Sequence, residues 1–118
     1  MLLLIGSGHA HLFVLEALAR GRLGRVRAVL VSPEPYHVYS GMLTGLIGGL
    51  YAEDEVRLDL PAIAKGAGAE FIAGRVTAIQ PSEGRVRLED GELLAYDVLS
   101  LAIGASVTAP RVSGGTMA

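Results

Sequence analysis

The sequence predicts an α/β fold: a parallel sheet of buried strands, helices packed on it, and an antiparallel β-meander towards the end. Three observations predict it. An apolar run, Met1-Leu2-Leu3-Leu4-Ile5, leads straight into Gly6-Ser7-Gly8-His9-Ala10-His11 and then into a helix-like stretch. A second apolar run, Val26 to Val31, completes strand, glycine turn, helix and strand within the length of one βαβ unit. From Arg75 the rhythm changes to short alternating segments, separated by turn residues at Pro81-Ser82-Glu83-Gly84 and Asp90-Gly91.

Each element has its own reason. Leu2 to Ile5 is wholly apolar, as a strand covered on both faces is. His9 to Arg20 carries apolar residues at 12, 13, 15 and 18, with Glu16 and Arg20 spaced as an i, i+4 ion pair and Gly21 as the stop. Val26 to Val31 is rich in β-branched residues and ends at Ser32-Pro33-Glu34-Pro35. Its connection to the first strand should cross over right-handed. Tyr36 to Tyr51 contains Gly41, Gly45, Gly48 and Gly49. Each costs a helix about 1 kcal/mol relative to alanine, so a loop and a short helix are expected. Asp59-Leu60-Pro61 reads as an N-cap with proline in the first turn, opening a helix to about Lys65 that stops at Gly66 or Gly68. Glu70 to Ala73 should be a third parallel strand. Val76-Thr77-Ala78-Ile79, Arg85-Val86-Arg87-Leu88 and Leu93-Leu94-Ala95 form the meander. Tyr96 to Ile103 is expected to return as a buried strand ending at Gly104. Residues 1–105 are therefore expected to make one domain, and residues 106–118 a poorly ordered tail.

Composition narrows the function classes. The 118 residues fit one domain of modest size. The apolar fraction, 51%, is high for that length. Either the sheet is covered on both faces, or something absent from this chain covers part of its apolar surface. A formal net charge of −2 leaves no basic footprint for nucleic acid. The local cluster Arg20, Arg22, Arg25 and Arg27 fits the solvated end of a helix and its exit turn. With no cysteine, the chain carries no disulfide framework, no Cys-based zinc site and no thiol redox centre. No apolar run reaches the ~18 residues of a transmembrane helix, and the first five residues lack the basic start of a signal peptide. A cytoplasmic location is the expectation.

The glycine turn carries the chemistry. A strand delivers the chain to it, two glycines let the backbone approach a ligand, and the following helix aims unpaired N–H groups and its positive end at an anion. This is the arrangement of a dinucleotide-binding turn, with His11 at the third glycine position. An ordinary glycine-rich turn without a ligand is the competing reading. His11 must be accommodated by a wider helix–strand crossing or by turning outward. His9 and His11 lack the company a metal needs, since His37 is the only other histidine. The acidic residue that holds a ribose in such sites is not at the end of the second strand itself. Ser32 stands there and Glu34 follows two residues later, so either Ser32 makes a weaker contact or Glu34 swings back to it. Tyr39-Ser40-Gly41-Met42-Leu43-Thr44-Gly45 is small enough to let an extended ligand lie against its backbone, or it is simply a loop.

Three stretches taken together carry a resemblance. Gly6 to His11, then Tyr39-Ser40-Gly41-Met42-Leu43 with Gly45-Leu46-Ile47, then Tyr96-Asp97-Val98-Leu99-Ser100-Leu101-Ala102-Ile103-Gly104 resemble the FAD-binding N-terminal part of pyridine nucleotide-disulfide oxidoreductase-type flavoproteins. Within that group they are most similar to NADH-dehydrogenase-like proteins found alone or fused to selenide, water dikinase. The resemblance covers about residues 2 to 105.

It implies a three-layer FAD/NAD(P)-binding, Rossmann-like domain with a parallel sheet and a β-meander. It implies that Gly6, Gly8, His9 and Ala10 lie along the FAD pyrophosphate and Ser32 near the adenosine ribose. It places Gly41 and Met42 near the pyrophosphate and the flavin side of the cofactor, and Val76 against the adenine through its backbone. Ala102 and Gly104 close over the nucleotide. The resemblance implies no catalytic or metal-binding residue in this stretch.

Disulfide reductases of the group carry a redox cysteine pair around positions 41 to 46, so that chemistry is excluded. What remains is hydride transfer from NAD(P)H to flavin and onward to a quinone or another acceptor. Family chains are about three times longer. The NAD(P)H-binding domain and a late Gly-Asp segment that holds FAD have no counterpart here. The chain is therefore expected to be a truncated, FAD-binding portion that is not competent alone, has weakened or lost FAD, and needs a completing domain or a homo-oligomer. The alternative is a small, non-catalytic nucleotide-binding or oligomerising module. A NAD-binding domain of a dehydrogenase fits less well, because the meander replaces the βαβ continuation that fold needs.

Overall fold

The computed structural model describes residues 1–105, and the expected tail at 106–118 lies outside the described residues. Four parallel strands form the central sheet in the order β5-β2-β1-β9: β1 (Leu2–Ile5), β2 (Ala28–Ser32), β5 (Glu70–Ala73) and β9 (Val98–Leu101). β1 pairs β2 with Leu3 opposite Val29, and pairs β9 with Leu3 opposite Leu99. The chain leaves β1 towards β2 on one side and returns as β9 on the other. That reversal puts a crevice at the carboxyl end of β1, where open α/β sheets bind ligands.

Alternation along the strands assigns the layers. Leu3, Ile5, Val29 and Val31 face one way and pack with Val86 and Leu88 of a three-stranded antiparallel sheet, β6 (Val76–Gln80), β7 (Arg85–Leu88) and β8 (Leu93–Ala95). Leu4 and Leu30 face the other way, onto Leu15 of α1 (His9–Ala19) and Leu60 of α3 (Leu60–Gly66). The result is the expected three layers: meander, parallel sheet, helices. Leu3, Leu4, Leu15, Leu30 and Leu60 are all at most 1% exposed. Burying a side chain of this size contributes about 1.5–3 kcal/mol.

Local chemistry explains the helix ends. Asp59 Oδ1 accepts the Ala62 N–H at 3.0 Å and Pro61 sits in the first turn of α3, as expected. Gly21 and Gly68 follow α1 and α3 with positive φ. The Glu16–Arg20 ion pair forms at 2.7 Å, and the four clustered arginines are exposed.

Two features differ from expectation. The irregular region contains a short antiparallel ribbon, β3 (Tyr36–Val38) with β4 (Arg57–Asp59), beside a single 3-10 turn at Ser40–Met42 and the short helix α2 (Leu43–Ile47). And β9 is not a buried strand. Among the described residues it pairs only with β1, which leaves its other edge unpaired by them, and Val98, Leu101 and Ile103 are 59%, 53% and 70% exposed. Among the described residues no helix is long and apolar enough to cross a membrane.

Candidate functional site

The site is built where β1 hands over to α1. Gly6 adopts φ +89, a conformation that L side chains rarely take. A Cβ there would lie 2.3 Å from the Ala102 carbonyl oxygen, and a Cβ on Gly8 would lie 2.8 Å from the same atom. The Gly8 N–H donates to that oxygen at 2.9 Å. Both glycines are therefore required by the chain itself: the segment that continues β9 presses its backbone against the turn.

His11 locks this contact from below. It is 1% exposed. Its Nδ1 donates to the Gly6 carbonyl at 2.7 Å, since a carbonyl can only accept. Its Nε2 lies 2.9 Å from Ser100 Oγ on β9. The residue at the third glycine position thus turns inward as a polar bridge between the turn and β9, and the outward alternative is corrected. Its inward placement shifts the buried stripe of α1 to His11, Leu15 and the half-buried Leu12 and Leu18, while Phe13 is left 64% exposed.

The outer side of the turn is open. Gly8 is the N-cap of α1 and no side chain caps the helix. Among the described residues the main-chain N–H groups of Ser7, His9 and Ala10 have no backbone acceptor. His9 and Ala10 are exposed at the positive end of the helix, the local field that favours an anion. The turn is not plugged by imidazole: His11 lies beneath it and His9 stands at its rim.

Next to the turn, a cavity of about 170 Å³ opens between the carboxyl ends of β1 and β2 and the start of β6. Gly6, Val31, Pro33, Arg75, Val76 and Ile103 line it.

The candidate residues distribute as follows. Gly6 and Val76 share the cavity. Gly8 and Ala102 are hydrogen-bonded at the turn, and His9 and Ala10 begin α1 above it. Gly41 and Met42 are drawn towards His9 through Tyr39. The Met42 N–H bonds the Tyr39 carbonyl at 3.0 Å, and the Tyr39 ring lies 4.8 Å from that of His9. Ser32 is 3% exposed at the end of β2, so its neighbours Val31 and Pro33 line the cavity instead. Glu34 is exposed. Gly104 is exposed with φ +68, and Ile103 is the residue of that segment that reaches the cavity.

Sequence reasoning passed over Pro33, Arg75 and Ser100 as site residues and weighed His37 only as a metal ligand. Only Arg75 and Pro33 had a signal, as sequence neighbours of Val76 and Ser32.

Comparison with known proteins agrees with this fold. No protein-family model matches the chain. A mitochondrial sulfide:quinone oxidoreductase of Dictyostelium discoideum is 28% identical over 114 residues, which is 96% of this chain and 25% of that protein. The crystal structure of a sulfide:quinone oxidoreductase from Aquifex aeolicus superposes with a TM-score of 0.79 at 21% identity, covering 91% of this chain and 25% of that one. A water-forming NADH oxidase from Lactobacillus brevis gives 0.77 at 19% identity, covering 94% and 26%. The chain spans about a quarter of the length of the curated relatives it matches.

Fold and turn together define an α/β domain of the FAD/NAD(P)-binding, Rossmann-like class. Within that class the chain is similar to about a quarter of the length of sulfide:quinone oxidoreductases, which fits the FAD-binding N-terminal part of pyridine nucleotide-disulfide oxidoreductase-type flavoproteins.

Proposed function

We propose that residues 1–105 act as the FAD-binding portion of an NAD(P)H-dependent flavoprotein oxidoreductase. The observation that supports this best is the start of α1: a helix without a side-chain cap whose first N–H groups lack acceptors among the described residues, beside a cavity lined by Gly6 and Val76. These groups fit a dinucleotide. The N–H groups of His9 and Ala10 suit the diphosphate. The 170 Å³ cavity suits an adenosine end, with Val76 at its wall and Ser32 at the end of the adjoining strand.

Bound FAD would supply the hydride and electron chemistry. The chain's own residues bind and orient. Gly6 and Gly8 keep the turn low, His11 and Ala102 fix it to β9, and Gly41 and Met42 stand on the side where the cofactor leaves the turn. No acid or base of this segment is assigned to the chemistry. NAD(P)H and the electron acceptor would be engaged by a completing domain. The reading includes a cytoplasmic location, which cell fractionation would test.

Thermal denaturation with FAD, ADP and NADH tests the reading. It predicts a rise in melting temperature with FAD and ADP, and flavin absorbance that co-elutes with the protein. A chain that neither FAD nor ADP stabilises contradicts it. That result would favour the second reading, a non-catalytic module whose partner covers the exposed Val98, Leu101 and Ile103 along β9 and Ile47 and Leu50 near α2. Sedimentation at several concentrations would then show an assembly larger than a monomer.

A further inference from the structure

Side chains from three places meet at the rim of the glycine turn, and the reading above gives their polar groups no role. His9 comes from the first turn of α1, His37 from β3, and Tyr39 from just beyond β3. The rings of His9 and His37 lie 5.7 Å apart, edge to face at 78°. The Tyr39 ring lies 4.8 Å from that of His9. Ser7 Oγ, from the turn itself, is 3.4 Å from His37 Nδ1. The cluster therefore belongs to the turn, on the side where the N–H groups of His9 and Ala10 are unpaired.

Two imidazoles at this spacing resist carrying charge together. Burial, and after it the charge on His9, hold His37 below the usual histidine range. The charged groups of β4, which pairs with β3, are occupied elsewhere. Arg57 lies over the Tyr36 ring and pairs with Glu53, and Asp59 caps α3, while the residue opposite His37 is the apolar Leu58. Tyr39 is the remaining titratable neighbour. Among the described residues no carboxylate pairs with either imidazole. The partner still missing is an anion, and an anion near an imidazole favours its charged form.

We propose that His9 and His37 form the side-chain half of the anion site, with His37 taking up a proton from solvent when a dinucleotide diphosphate settles at the start of α1. The inference rests on the dinucleotide reading above. No covalent bond changes: free protein, ligand and one proton give the complex. The proton then acts as a second ligand, and its uptake strengthens binding by up to about tenfold per unit fall in pH until His37 is charged in the free protein as well.

The test uses FAD and ADP-ribose, whose diphosphate diesters have no group titrating near neutrality, and adenosine, which has no phosphate. Binding to the full chain is measured by calorimetry at about pH 6, 7 and 8, each in two buffers of unlike ionisation enthalpy. The expected result is FAD and ADP-ribose binding about 5- to 10-fold tighter at the lowest pH than at the highest, with net proton uptake near neutrality. Adenosine should show neither effect. His9→Gln and His37→Gln should each flatten the dependence. His9 is exposed, so its substitution leaves the packing intact, and an unchanged melting temperature verifies that. A flat pH profile with intact binding, or a slope that survives both substitutions, overturns the proposal and leaves the dinucleotide reading standing. Failure of FAD and ADP-ribose to bind at any of these pH values overturns both.

Discussion

The two long helices begin in opposite ways. α3 is closed by its own sequence: Asp59 accepts the Ala62 N–H, and Pro61 removes a donor that would otherwise need a partner. α1 begins at Gly8 with no side-chain cap, and among the described residues the N–H groups of His9 and Ala10 are unpaired. The α3 start therefore contributes stability, whereas the α1 start, with glycine at its N-cap, gives up only about 0.3 kcal/mol. The chain shapes the α1 start with more care than the α3 start: two glycines, a buried histidine and the Ala102 carbonyl all serve it. An uncapped end that is so firmly held fits a site for an external anion, and a self-capped end does not.

Substitutions at the glycines should break this comparison most strongly. Gly6→Ala forces a Cβ against the Ala102 backbone at a positive φ and should destabilise the chain by about 3–4 kcal/mol. Gly68→Ala, after α3, meets nothing within 4 Å and should cost only about 1 kcal/mol, the penalty of its positive φ. Urea denaturation of both variants would show whether the gap exists.

His11→Leu comes next. It fills much of the same space but leaves the Gly6 carbonyl and the Ser100 hydroxyl without their partner, at about 2–3 kcal/mol. Hydrogen exchange should then speed up in β9 and at the turn before it does in β2.

Changes at the two helix starts should separate stability from binding. Asp59→Ala should lower stability by about 1 kcal/mol and leave FAD affinity unchanged. Ala10→Asp places a negative charge in the first turn of α1. It should raise stability by about 0.3–1 kcal/mol while weakening FAD about tenfold or more. A variant that gains stability and keeps its FAD affinity would remove the functional difference between the two helix starts.

The smallest effect is that of pH on the free protein. Because His37 is held below its ordinary value in the fold, the unfolded chain binds more protons as pH falls through about 6.5. Stability should be fully present above that value and should decline slightly below it, and His37→Gln should abolish the decline in thermal melts.

How legible each part was follows from the range of the forces that set it. β1, α1, β2, α3 and the meander were readable because apolar period, caps and turn residues are local. The β3–β4 ribbon was not, because strands of three residues hold at most one alternation and their pairing is decided by contact. β9 was read as buried because it is apolar. Its exposure comes from lying at the sheet edge, which composition does not encode. The role of His11 was hidden for a similar reason: its partner Ser100 is 89 residues away. The glycines were found for one reason and explained by another, since the backbone of Ala102 already demands them. The rim histidines show the same limit, because His9 and His37 meet only when β3 folds against the turn.

The most direct test is a titration of the isotopically labelled chain with ADP-ribose, followed through its backbone amide resonances. The account predicts that the amides of Ser7, His9 and Ala10 shift most, with Val76 beside the cavity, while those of Leu60 and Ala62 at the start of α3 stay in place. Saturable binding that leaves the His9 and Ala10 amides unmoved would contradict it.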